Sequence, residues 1–151
     1  MKQFFEFEAD FVASLRCIPM IVRFKLDTCG VKLKLHHWYN FNHLEKEVLI
    51  NKPCETFTQI VEYRQYLRDL VYEKTKEYPK DLEILSNPEW LNIDIIPDTI
   101  QKKAKEFDYQ LTLFQWQKLT PLQRFALIKL SRPSHENNNF LPALKEFELV
   151  S

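Results

Sequence analysis

Thr120-Pro121-Leu122-Gln123-Arg124-Phe125-Ala126-Leu127-Ile128-Lys129-Leu130 is the stretch that decides the class of fold. A threonine followed three residues later by glutamine is a capping box, in which each side chain takes a backbone N–H that would otherwise be unpaired at the helix start. Pro121, at the first helical position, has its φ already set and no N–H to satisfy. The apolar run behind it predicts a helix continuing to Pro133.

Seventy-eight residues upstream the same arrangement recurs. Asn42-His43-Leu44-Glu45 places an N-cap and a third-position acid ahead of Val48-Leu49-Ile50, and that helix is expected to stop before Pro53. Laid without a gap, Ile18–Ile50 and Ile96–Ile128 share Ile-Pro (18-19 and 96-97), Lys25 with Lys103, Leu33 with Leu111, and Leu35 with Leu113. They also share Trp38 with Trp116, Leu44 with Leu122, and Leu-Ile (49-50 and 127-128). Both copies open on proline, run through L-x-L-x-x-W and close on a capped helix, so the correspondence is physical as well as literal. The expectation is an internal duplication with repeat-like units at 18–50 and 96–128. Leu33, Leu35, Trp38, Leu44 and their counterparts are then core residues.

The remaining segments read the same way. Pro19 and Pro97 each pre-set φ for a first helical turn. The helix behind Pro19 ends at Gly30, the chain's single glycine, which suits the left-handed C′ position. Thr56-Phe57-Thr58-Gln59 is another capping box, and Ile60, Tyr63, Leu67, Leu70 and Val71 follow at helical spacing to about Tyr78. Pro79–Pro88 reads as a connection, Pro97 opens a helix to about Phe107, and a short last element runs from Phe140 to Leu149. Near the N-terminus, Gln3–Glu8 alternates partly with period two, as a short strand would, while Asp10 could equally cap a helix carrying Phe11, Val12 and Leu15. The fold expected is mainly α: a compact multi-helix domain, one helical domain over 1–151, with that short N-terminal strand as an open alternative.

Composition narrows the function classes. Lys plus Arg and Asp plus Glu number 21 each, so no net field draws the chain to nucleic acid. The longest apolar run near the start, Cys17–Val22, is short and clamped between Arg16 and Arg23, so neither export nor a membrane is expected. Three cysteines without close-set pairs point to a reducing, cytoplasmic setting.

One glycine cannot build a phosphate loop, and neither G-x-S-x-G nor H-E-x-x-H occurs. No enzyme, no cofactor and no metal are therefore expected. Cys17, Cys29, His36 and His37, with Cys54 and His43 further on, are ligand-type residues, but they lack the paired spacing of structural zinc sites and the four thiolates of an iron–sulfur cluster. A small metal or thiol redox protein using Cys17, Cys29, His36 and His37 is kept as the alternative. A DNA-binding reading, with Asn42–Ile50 and Thr120–Leu130 as second helices of helix-turn-helix units, has few exposed positive charges to support it.

Ser131–Asn139 is the polar stretch that stands out. Arg132, His135, Glu136 and Asn137 offer a fixed cation, an imidazole, a carboxylate and an amide in one loop after an apolar helix. One reading is a C-terminal cap and a turn into the last element, with Ser134 as an N-cap and Asn137 at its third position; the alternative is a partner- or anion-binding loop.

Three segments near the start, Phe7-Glu8-Ala9-Asp10-Phe11, Leu15-Arg16-Cys17-Ile18-Pro19-Met20 and Lys25–Leu33, resemble the N-terminal signature of the nitrate reductase-associated protein family of cyanobacteria. Leu119–Asn137, continuing into Asn139-Phe140, resembles its C-terminal signature, and Asn51–Asn92 matches least. The resemblance implies a small cytosolic accessory protein supporting the activity or assembly of the molybdenum-containing nitrate reductase, with that enzyme or a maturation intermediate as partner. It implies no catalytic residues. The contact is expected at Arg132, His135, Glu136 and Asn137, with Arg16 and Arg23.

Overall fold

A computed structural model of the chain describes residues 4–12, 15–133 and 138–150. The fold is mainly α, and the chain divides into two compact units, Met1–Ile84 and Leu85–Ser151.

In the first unit a 3-10 turn, Glu6–Glu8, leads into α1 (Ala9–Val12), so the segment is helical and not a strand, although Asp10 lies within α1 instead of capping it and Leu15 lies beyond its end. Next come α2 (Met20–Cys29), β1 (Val31–Lys32), α3 (Leu35–Tyr39), α4 (His43–Asn51), α5 (Phe57–Thr75) and β2 (Lys80–Asp81). The two strands pair antiparallel, Val31 with Asp81 and Lys32 with Lys80, placing a strand inside what the sequence suggested was only a connection. Gly30 sits at φ 77°, and a Cβ there would come 2.6 Å from Ile84 Cγ1 and 2.9 Å from the Leu82 carbonyl. Both the dihedral and the close approach call for glycine. Helix α5 stops at Thr75, short of Tyr78, because Lys76 turns left-handed while the Thr75 hydroxyl donates to the Val71 carbonyl.

The second unit has a 3-10 turn at Glu89–Leu91, then α6 (Asp98–Lys105), α7 (Leu113–Lys118), α8 (Pro121–Ser131) and α9 (Phe140–Glu146). Its core gathers Ile100, Ala104, Trp116, Phe125, Leu127, Phe140 and Leu144. The core of the first unit is built on Val22, Trp38, Leu49, Tyr63, Leu67 and Val71.

The capping boxes form as expected. Asn42 and Glu45, Thr56 and Gln59, and Thr120 and Gln123 exchange side-chain-to-backbone bonds of 2.8–3.2 Å. Pro19 and Pro97 differ from expectation: both are N-cap residues, not first-turn residues, and their carbonyls accept the first helical N–H groups. Of the three, Pro121 alone lies inside its helix.

Seventy-eight residues separate equivalent features of the two units. Left-handed residues follow the first helix at Gly30 and Asp108, Trp38 and Trp116 are fully buried, and Lys46 and Arg124 place cations over those rings at 5.3 and 5.8 Å. Each indole N–H donates to a carbonyl before the unit's proline, Leu15 at 2.8 Å and Asn92 at 2.9 Å. Three leucines expected in the core are exposed: Leu35, Leu113 and Leu44, the last at 72%. The inward side of α4 is set by Leu49 and Ile50. Leu44, five residues before Leu49, lies roughly 140° round the helix at about 100° per residue.

Candidate functional site

The expected contact residues fall on both units. Arg16 is exposed just before α2, Arg23 is partly buried one turn into it, and Arg132 is exposed at the C-cap of α8. His135, Glu136 and Asn137 lie outside the described residues.

The thiols do not form a reactive group. Cys29 and Cys54 are buried, and burial pushes their thiols up to about 12 and about 11, far from the thiolate that nucleophilic or metal chemistry needs. Cys17 is exposed. The two cations on α4 and α8 are also turned inward: Lys46 donates to the Leu15 carbonyl, and Arg124 to the carbonyls of Trp90 and Leu119. An open cleft of about 530 Å³ beside α6 is lined by Gln101, Lys102, Lys105, Asp108, Tyr109 and Gln110, and it holds none of the residues singled out from the sequence.

His36 and His37 do come together with a third ligand-type group, Glu77, rather than with a cysteine. Helix α3 carries the two imidazoles side by side, ring centroids 4.4 Å apart, and the chain after α5 delivers the carboxylate from forty residues away. Glu77 Oε1 lies 2.9 Å from His37 Nε2 and 3.4 Å from His36 Nε2. The hydrogen bond from His37 is the largest influence on the Glu77 carboxyl and, with smaller help from His36 and the Lys34 charge, holds it below its usual range against an opposing desolvation. His37 is 1% exposed, whereas His36 and Glu77 face solvent.

The spacing would suit a metal, but the hydrogen bonds do not. His37 Nδ1 accepts the Lys34 backbone N–H at 3.1 Å, so in the neutral ring the proton sits on Nε2, where it is donated to Glu77. Histidines that ligate a metal through one nitrogen donate an N–H from the other. Here the other nitrogen is already an acceptor, so ligation through Nε2 would set two N–H groups against each other at the start of α3. The group is built as a hydrogen-bonded clasp between α3 and the segment after α5. Glu77 gave no signal in the sequence, because only the packing of α3 on α5 and the β1–β2 ladder bring it near the histidines.

The description "conserved nitrate reductase-associated protein" belongs to a family model that matches residues 4–147. The chain belongs to this family. The match takes in both segments whose residues resembled it and the middle between them. None of the curated proteins and none of the solved structures matches the chain. The description of the family names an association with nitrate reductase and no reaction. Among the described residues no helix is long and apolar enough to cross a membrane.

Proposed function

We propose that this protein is a cytoplasmic accessory factor that binds nitrate reductase, or an intermediate in its maturation, and supports its activity or assembly in nitrate assimilation without catalysing a step itself. The membership of residues 4–147 in the nitrate reductase-associated family carries this reading. Large apolar side chains are exposed on each unit, Leu44 at 72% and Phe57 at 82% on the first and Phe114 and Ile95 on the second. The polar contacts are assigned to Arg132, His135, Glu136 and Asn137 on the second unit and to Arg16 and Arg23 on the first. We also propose that the two units are copies of one ancestral helical unit. Their shared cation–tryptophan packing then serves as scaffold, and function resides where they differ.

Co-purification of the tagged chain with apo- and holo-nitrate reductase tests the association. Binding to at least one form, weakened at least tenfold in an Arg132→Ala, His135→Ala variant, is expected. No binding to either form overturns the proposal, and undiminished binding by the variant removes the loop from the contact.

A further inference from the structure

The clasp at His37 has chemistry that reaches beyond association with a partner. A backbone amide can only donate and a carboxylate can only accept, so the Lys34 N–H and Glu77 together assign the His37 tautomer: lone pair on Nδ1, proton on Nε2. A proton added to this ring has only Nδ1 to occupy. There it would confront the Lys34 N–H at 3.1 Å, donor against donor, while the bond from Nε2 to Glu77 persists. We propose that His37 is a proton-operated cap, which holds the start of α3 when its imidazole is neutral and lets it go when the ring is charged.

The consequence is local and specific. The residue after His37 is Trp38, the fully buried ring whose indole N–H is held by the Leu15 carbonyl, and that carbonyl also receives the Lys46 ammonium. Releasing the first turn of α3 therefore loosens the element that carries a central core side chain. The charged and titratable groups facing the imidazole are Glu77 from the segment after α5, His36 beside it on α3, and Lys34, whose charge acts on Glu77. Glu77 favours the charged ring, and His36, when it takes up a proton, competes for the same carboxylate oxygen. The lost cap acts in the opposite sense.

The second unit supplies the control. Gln115 stands at the position equivalent to His37 and precedes Trp116 as His37 precedes Trp38. Its Oε1 accepts the Thr112 N–H at 3.0 Å, and its Nε2 donates to the Leu149 carbonyl at 3.4 Å. An amide accepts with one end and donates with the other, as the neutral imidazole does, but it does not titrate. Of the two equivalent caps, only the one on α3 responds to protons.

The test uses the full ¹⁵N-labelled chain. Long-range imidazole correlations at about pH 8 should show His37 unprotonated at Nδ1, and lowering the pH to about 5.5 should reduce the protection factor of the Lys34 amide about tenfold, the loss of one hydrogen bond. In His37→Gln the Lys34 protection should stay constant over the same range. In Glu77→Gln, an exposed and structurally mild change, the transition should move to lower pH, because no carboxylate favours the imidazolium. The proposal is overturned by a His37 ring protonated at Nδ1 at pH 8, by Lys34 protection that ignores pH in the unaltered chain, or by an unmoved transition in Glu77→Gln. Loss of the His37 Nε2 proton on adding equimolar zinc would overturn it in favour of a metal. If His37→Gln fails to fold, the tautomer and protection measurements on the unaltered chain still decide.

Discussion

Replacing Arg124 by methionine tests the account of the second unit's core most directly. The guanidinium is 5% exposed, and no carboxylate pairs with it among the described residues; burial alone pulls its pKa down. Its charge is instead spread over backbone carbonyls: Nε donates to Trp90 O at 2.6 Å, and Nη1 donates to Leu119 O at 2.6 Å and more weakly to Trp116 O at 3.3 Å. Methionine fills similar volume and donates nothing. The Trp116 carbonyl keeps the Leu119 N–H, so the loss falls on the two short bonds, to Trp90 O and Leu119 O. At about 1–3 kcal/mol for a buried group that loses its partner, the Leu119 carbonyl belongs near the top of that range, and loss of the bond to the half-buried Trp90 carbonyl adds about 0.5–1.5 kcal/mol. Loss of the cation over the Trp116 ring adds about 0.5–1 kcal/mol. Relief from burying an unpaired charge offsets part of the sum. The expected destabilisation is about 3 kcal/mol, read from urea titrations followed by circular dichroism and tryptophan fluorescence. Arg124→Lys should recover part of it, since Lys46 serves the equivalent place in the first unit with one bond to Leu15 O. A loss under about 1 kcal/mol in Arg124→Met would refute the reasoning that this cation holds the 3-10 turn and α7 onto α8.

Gly30→Ala should cost about 2–5 kcal/mol, combining about 1–2 for a Cβ at positive φ with about 1–3 for overpacking against Ile84 and Leu82; an unchanged urea midpoint would contradict the geometry. With a thiol reagent near neutral pH, the native chain should yield one fast-reacting cysteine, Cys17, and the unfolded chain all three, because Cys29 and Cys54 are buried thiols. Fast labelling of either buried residue would show that their surroundings are open. The hydrogen bond from Arg64, its charge and that of Arg68 depress the folded pKa of Asp81. Its contribution to stability is therefore present above the unfolded carboxyl's pKa of about 4 and is lost as pH falls through the folded value. Asp81→Asn should flatten that acid limb, and an identical acid limb in the variant would count against the pair.

Local chemistry made the helices legible. Capping boxes at Asn42, Thr56 and Thr120 and the glycine at position 30 act within a few residues, so pattern alone located those helix ends to within a residue or two. The box at Thr112 and Gln115 is equally local but is overlaid on the L-x-L-x-x-W pattern. Leu35, Leu113 and Leu44 misled because shared leucines suggest burial, whereas which side of a short helix faces the core depends on what packs against it. The β1–β2 ladder is two residues per strand, too short to show periodicity.

From the sequence alone follow the mainly α class, the equivalent segments seventy-eight residues apart and the family, since each is written in contiguous or regularly spaced residues. Tertiary structure decided the rest. It divided the chain into two units, turned Lys46 and Arg124 inward, and carried Glu77 across forty positions to the histidines of α3. A tautomer is set by the donors and acceptors that fold against a ring, and nothing in the pair His36-His37 could show which nitrogen of His37 would keep its proton.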